Sequence, residues 1–249
     1  MKSSSFPVAL ITGAAKRIGA HIASHLHQRG MNVVVHYRHS AKAAQQLCAS
    51  LNRERPDSAV AIVADLDNHE HYLMLIKSAV KQWGRLDVLV NNASTFFPTA
   101  LAKANETEWH GLMNSNLKAP FFLAQAATPY LKKTNGCIVN ITDIHGKKPL
   151  KDYSIYSIAK AGLIMLTKSL AKELAPEIRV NAVSPGSILW AHEEKNILSA
   201  TKKQDILQKT LLKRQGAPED IAKAVWYLIH DANYVTGQVI AVDGGRSLR

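Results

Sequence analysis

A doubly wound α/β fold, one domain with a seven-stranded parallel sheet flanked by helices, is predicted by three features of the sequence. Short runs rich in β-branched residues recur along the chain. Each reads as continuously apolar rather than alternating, and longer segments of helical periodicity separate them. Strands buried on both faces have this continuous apolar character, and connections long enough to cross over as helices imply parallel neighbours. Their alternation places helices on both sides of one sheet.

The runs are VALIT (8–12), VVVHY (33–37), AVAIVA (59–64), DVLV (87–90), CIVNI (137–141), RVNAV (179–183) and QVIAV (238–242). Right-handed crossovers gather the ligand-binding strand ends along one edge, so a site is expected there. With 249 residues, 47% of them apolar, the chain can bury one substantial core. No repeat, low-complexity tract or proline-rich linker divides it, so 1–249 is expected as a single domain. The segment 190–215 is polar and lysine-rich, lacks a strand and follows one at the ligand edge. A substrate lid is expected there.

Composition narrows the function classes. Cys48 and Cys137 stand far apart, in no metal-binding spacing, so neither a disulfide framework nor a zinc site is indicated and a reducing, cytoplasmic setting is expected. His21 and His25 lie one helical turn apart without the glutamate of an H-E-x-x-H pattern, and no metal is expected. The apolar run in MKSSSFPVALITGAAK is too short for a signal peptide, and no stretch approaches the ~18 apolar residues of a membrane span. The net charge of +12 suits an anionic partner: nucleotide phosphate, carboxylated substrate, acidic carrier protein or nucleic acid. Because the basic residues are scattered, without a basic tail or a nucleic-acid motif, they are read as serving solubility and anion attraction. Neither a nucleic-acid nor a membrane partner is expected.

The first strand ends in TGAAKRIG, with Gly13 at the turn and Gly19 at the start of the next helix. Such a turn aims backbone N–H groups and a helix dipole at a pyrophosphate, and glycine permits close approach. Arg17 adds a guanidinium able to bind phosphate through two hydrogen bonds. An NAD-selective Rossmann-type fold ends its second strand in Asp or Glu; here the strand runs VVVHYRHS with no acid. Arg38, with Ser40 and His39, can instead neutralise a ribose 2′-phosphate, which predicts NADPH. Asp65, after the third strand, is placed for the adenine ring or as a helix cap. Tyr156 and Lys160 stand four apart in YSIAK, on one face of a helix that follows the fifth strand.

Together, TGAAKRIG, the NNAS segment after the fourth strand, Asn116 in NSNLKAPF and YSIAK resemble the motifs of the short-chain dehydrogenase/reductase family over the whole chain, with Arg17 in place of the middle glycine of TGxxxGxG. The resemblance implies that Tyr156 is the proton donor, that Lys160 lowers its pKa and holds the nicotinamide ribose, and that Asn116 anchors a water relay. It implies a cofactor site of Gly13, Arg17, Ile18 and Gly19 on the turn, and of His36, Tyr37, Arg38 and Ser40 after the second strand. Asp65 and Leu66 follow the third strand, Asn92, Ala93 and Ser94 the fourth, and Pro185, Gly186 and Ser187 the sixth, with Tyr156 and Lys160 completing it.

Where the family usually has a serine, thirteen positions before the tyrosine, this sequence has Asp143. An ionised carboxylate only accepts hydrogen bonds and cannot polarise a ketone as a hydroxyl does. It can receive the Tyr156 hydroxyl or a substrate N–H and favour the protonated tyrosine, which suits reduction of a C=N bond. TGAAKRIG, HYRHS, NNASTFFPT and the Asp-Tyr-Lys set resemble the pteridine reductases among the short-chain enzymes. That resemblance implies a pterin or folate substrate bound by Arg17, Ser94, Phe96, Asp143 and Tyr156, a homotetramer formed through helix packing, and a basic residue near Arg249 that some relatives lend to a neighbouring subunit. The alternatives carried are a 3-oxoacyl carrier-protein reductase and a non-catalytic NADP(H)-binding sensor.

Overall fold

The computed structural model describes residues 5–189 and 199–249. Among these, β1 (Val8–Ile11), β2 (Asn32–Tyr37), β3 (Ala59–Val63), β4 (Val88–Asn91), β5 (Cys137–Ile141), β6 (Arg179–Pro185) and β7 (Val239–Val242) form one parallel sheet in the order β3-β2-β1-β4-β5-β6-β7. The order reverses at β1 and β4, and such a switch point opens a crevice for ligand beyond the strand ends.

Side chains alternate across each strand, so each face of the sheet has its own core. On one face Ala9, Ile11, Val33 and Val35 meet α1 (Arg17–Gln28), α2 (Ala41–Glu54) and α8 (Pro218–Trp226). On the other Val8, Leu10, Leu89 and Ile138 meet α3 (Glu70–Trp83), α5 (Ala119–Leu131) and α6 (Ser154–Leu174). Central strands β1, β4 and β5 are buried throughout, which is why their sequences carry no polar alternation.

Between α4 (Glu106–Met113) and α5 the backbone widens into a π-helical turn over Asn114–Lys118, which carries Asn116. Residues 190–198 of the expected lid lie outside the described residues; the remainder holds α7 (Ala200–Lys209), capped by Ser199, which accepts from the Lys202 N–H. Beyond α7 the chain docks on the C-terminal turn, where Leu212 N donates to the Gly244 carbonyl at 3.1 Å. Asp243 fastens that turn by accepting from the backbone N–H groups of Gly245 and Ser247.

Candidate active site

A cleft of about 360 Å³ opens at the ends of β1, β2 and β4. Of the residues expected at the cofactor, Gly13, Arg17, Ile18, Gly19, His36, Arg38, Leu66, Asn92, Ala93 and Ser94 line this cleft, whereas Tyr37, Ser40 and Asp65 do not. Lys16, Asp67, Thr95 and Ser115 line it unpredicted, each one or two residues from a motif position. The glycines are sterically required. Gly13 has φ +62°, and a Cβ on Gly19 would lie 2.5 Å from both Asn92 Nδ2 and the Gly13 carbonyl oxygen. Asn92 Nδ2 donates to the carbonyls of Thr12 (2.8 Å) and Gly13 (3.2 Å), while the backbone N–H groups of Asn92 and Ala93 donate to Thr12 Oγ1. This pair therefore builds the cleft wall by holding the turn.

Arg17 has φ 55°, a left-handed conformation at the position where the family pattern has glycine. Arg38 is ion-paired with Asp65 (3.1 Å) and Asp67 (2.8 Å) across the ends of β2 and β3. Asp65 thus holds Arg38 here, in a role the sequence reading had not given it. All three side chains are a third or more exposed, where such pairs contribute only about 0–1 kcal/mol, so the guanidinium can be redirected at small cost. The Ser40 hydroxyl makes no capping bond to α2.

The second half of the site lies where β5 meets α6. Tyr156 donates its hydroxyl to Asp143 Oδ2 at 2.8 Å, and Asp143 Oδ1 accepts from the His145 N–H. Lys160, 2% exposed, donates from Nζ to the Ile141 carbonyl at 3.0 Å. One expectation is corrected here. Burial, then the Asp143 charge and its hydrogen bond, raise the Tyr156 pKa well above 10, whereas lowering by Lys160 was expected. The ammonium is turned to a carbonyl while the tyrosine faces a carboxylate. Burial in turn lowers the Lys160 pKa to about 8, against the opposing pull of Asp143.

Ser94 joins the two halves: it lines the cleft, donates to Asn116 Oδ1 at 2.7 Å and acts on Tyr156, whose pKa it pulls down against the larger raising causes. Asn116 is fully buried, and its Nδ2 donates to the carbonyls of Leu112 and Thr95. Its amide thus ties the π-turn both to α4 and to the segment after β4. Phe96 stacks on Tyr153 (4.6 Å, 15°) and meets Tyr156 edge-on (4.8 Å, 77°). Tyr153 belongs to this cluster although sequence reasoning passed it over; its signal was the spacing of one helical turn before Tyr156. Pro185 ends β6, with Gly186 and Ser187 just beyond it, beside the Ile141 strand end, and Gly186 N donates to the Val242 carbonyl. Arg249 rests on the Gln208 carbonyl of its own chain.

A nicotinamide dinucleotide fits this arrangement: the turn admits no Cβ at Gly19, two cations open α1, and a buried lysine and a tyrosine stand at the adjoining strand end. Fold and site define an oxidoreductase of the NAD(P)H-dependent short-chain kind. A family model described as Enoyl-(Acyl carrier protein) reductase matches residues 13–247, and the chain belongs to the short-chain dehydrogenase/reductase family. It is 37% identical to Pteridine reductase 1 of Leishmania tarentolae, covering 99% of this chain and 98% of that one. It is 40% identical to the 3-oxoacyl-[acyl-carrier-protein] reductase FabG of Staphylococcus epidermidis, covering 95% and 97%. The same enzyme of Staphylococcus aureus is also 40% identical, covering 95% and 96%. Among the described residues no helix is long and apolar enough to cross a membrane.

Proposed function

We propose that the chain is an NADPH-dependent pteridine reductase that converts a dihydropterin to its tetrahydro form, with pterin and dihydrofolate as further substrates. The observation that carries this reading is the 2.8 Å hydrogen bond from Tyr156 into Asp143. A carboxylate in that place accepts the tyrosine proton but cannot donate to a ketone oxygen.

When bound, NADPH supplies a hydride to a ring carbon of the substrate. Tyr156 gives its proton to the adjacent nitrogen, which hydride addition leaves more basic than a tyrosinate, so a tyrosine of raised pKa is still acid enough. Asp143 keeps that proton in place beforehand and accepts an N–H of the heterocycle. Lys160 offsets the negative charge left on the tyrosine oxygen. Phe96, swung from Tyr153, covers the pterin face, and Ser94 and Arg17 hold its polar edge. Selection of NADPH rests on the acid-free end of β2 and on Arg38 leaving Asp65 and Asp67 for the 2′-phosphate. Segment 190–215 serves as the lid, and the enzyme works in the cytoplasm as a homotetramer.

A second reading, a 3-oxoacyl carrier-protein reductase, is favoured by the FabG relatives and by the net charge of +12, which suits an acidic carrier. NADPH oxidation measured with dihydropterins, dihydrofolate and an acetoacetyl thioester separates the two. Pterin turnover should dominate and should fall about a hundredfold in Asp143→Ser, the scale of a lost acid-base group. Unchanged pterin rates in that variant remove Asp143 from the mechanism, and dominant thioester turnover selects the second reading.

A further inference from the structure

His36, the penultimate residue of β2, is 2% exposed beneath the phosphate turn, and both ring nitrogens are engaged. Nε2 lies 3.1 Å from the Ala64 carbonyl oxygen and Nδ1 lies 3.0 Å from the Gly13 backbone nitrogen. A carbonyl can only accept, so Nε2 carries the hydrogen; Nδ1 then presents its lone pair, as the Gly13 N–H requires. A single neutral tautomer satisfies both.

Burial favours this neutral ring, lowering its pKa to about 4 against the opposing pulls of the Ala64 carbonyl and then of Asp65. The His36 carbonyl also accepts from the Ala14 N–H at 2.9 Å. Two consecutive donors of the turn are therefore committed to one residue of β2 and withheld from any phosphate. The donors at the start of α1, from Arg17 to Gly19, have no intrahelical acceptor and border the cleft.

We propose that His36 is a positioning residue: its Nδ1, by accepting from Gly13, fixes the phosphate turn so that the first N–H groups of α1 are aimed at the dinucleotide. It acts through the backbone of the turn. This role rests on the dinucleotide reading of the cleft.

The test exploits the reach of two amides. In His36→Asn the side-chain oxygen falls near the place of Nδ1 and can still accept from Gly13. In His36→Gln the amide extends to the place of Nε2 and serves Ala64 instead. NADPH Kd by fluorescence titration, with KM and kcat, is measured on the full chain of each variant and of His36→Leu, alongside the melting temperature. The Leu and Gln variants should show Kd and KM for NADPH raised about tenfold, the loss expected when a buried donor is left without its acceptor, with kcat little changed. His36→Asn should stay close to the unaltered protein. Equal affinity in the Asn and Gln variants, or a fall in kcat at constant KM, would overturn the role of His36. Absence of NADPH binding by the unaltered protein would instead overturn the dinucleotide reading, and this role with it.

Discussion

Arg17 holds a backbone conformation that glycine adopts without strain and that costs a residue with a Cβ on the order of 1 kcal/mol. It stands where the family pattern has glycine, so the guanidinium was retained at a conformational cost, and that cost is part of the case for its role. Arg17→Gly relieves the strain but loosens the unfolded chain by a similar amount, and so should change stability by no more than about 1 kcal/mol. It also removes a charged phosphate ligand, so KM for NADPH should rise about tenfold or more, since hydrogen bonds to charged groups contribute about 1.5–3 kcal/mol. Thermal melts and steady-state kinetics on one preparation decide this; a variant that melts far lower while binding NADPH normally would make Arg17 structural. The cation was legible in TGAAKRIG, whereas its strain was not, because φ at one residue is set by how the turn packs on Asn92 and Ala93. His36 was legible only as a residue near the cofactor, since its two acceptor and donor bonds span three strand ends.

Helix α6 concentrates the chemistry, and its placement is fixed by polar groups inside an apolar layer. A buried ladder runs from Asn91 Nδ2 to Asn140 Oδ1, then from Asn140 Nδ2 to Thr167 Oγ1, which donates in turn to the Leu163 carbonyl. It ties β4 and β5 to α6 two turns beyond Lys160. The four-residue spacing of Tyr156 and Lys160 was enough to place both on one face of this helix, but not to reveal that burial pulls their pKa values apart. Lys160 should lose its charge as pH rises through about 8, and kcat/KM for NADPH, which reports on the free enzyme, should fall with it. Between about 8 and the ordinary 10.5 the unfolded chain holds a proton on this lysine that the folded chain lacks, so its contribution to stability rises with pH over the same window. Asp143→Asn removes the carboxylate that holds the Lys160 pKa up. The alkaline limb of the pH profile should then move down by about one pH unit. A limb that stays in place would show that Asp143 does not act on Lys160.

At the scale of the molecule, each of the seven apolar runs became a strand, within a residue or two at each end, because continuous burial on both faces leaves a signal that needs no knowledge of neighbours. What joins distant segments, such as the Tyr153–Phe96 stack or the docking of 210–213 on the C-terminal turn, leaves no local pattern and was not legible. The outer face of α4, α5 and α6 is a further consequence of assembly rather than of any one element. Trp109, Met113, Leu117, Phe121 and Phe122 border a groove of about 580 Å³ together with Gly162 and Leu166. Ile158, Gly162 and Met165 continue it as a stripe at helical spacing on α6, with Ile158 50% and Met165 60% exposed. A contiguous apolar patch of this kind marks an association surface, and a symmetric copy of the same helices can cover it, as the proposed homotetramer requires. A glutamate at Met165 would bring like charges together across such an interface and desolvate them. Met165→Glu should therefore lower the mass measured by light scattering below four chains. The cofactor cleft lies at the ends of β1, β2 and β4 and shares no lining residue with this groove, so NADPH affinity should persist in the dispersed protein. A tetramer that survives the substitution would move the interface to another face.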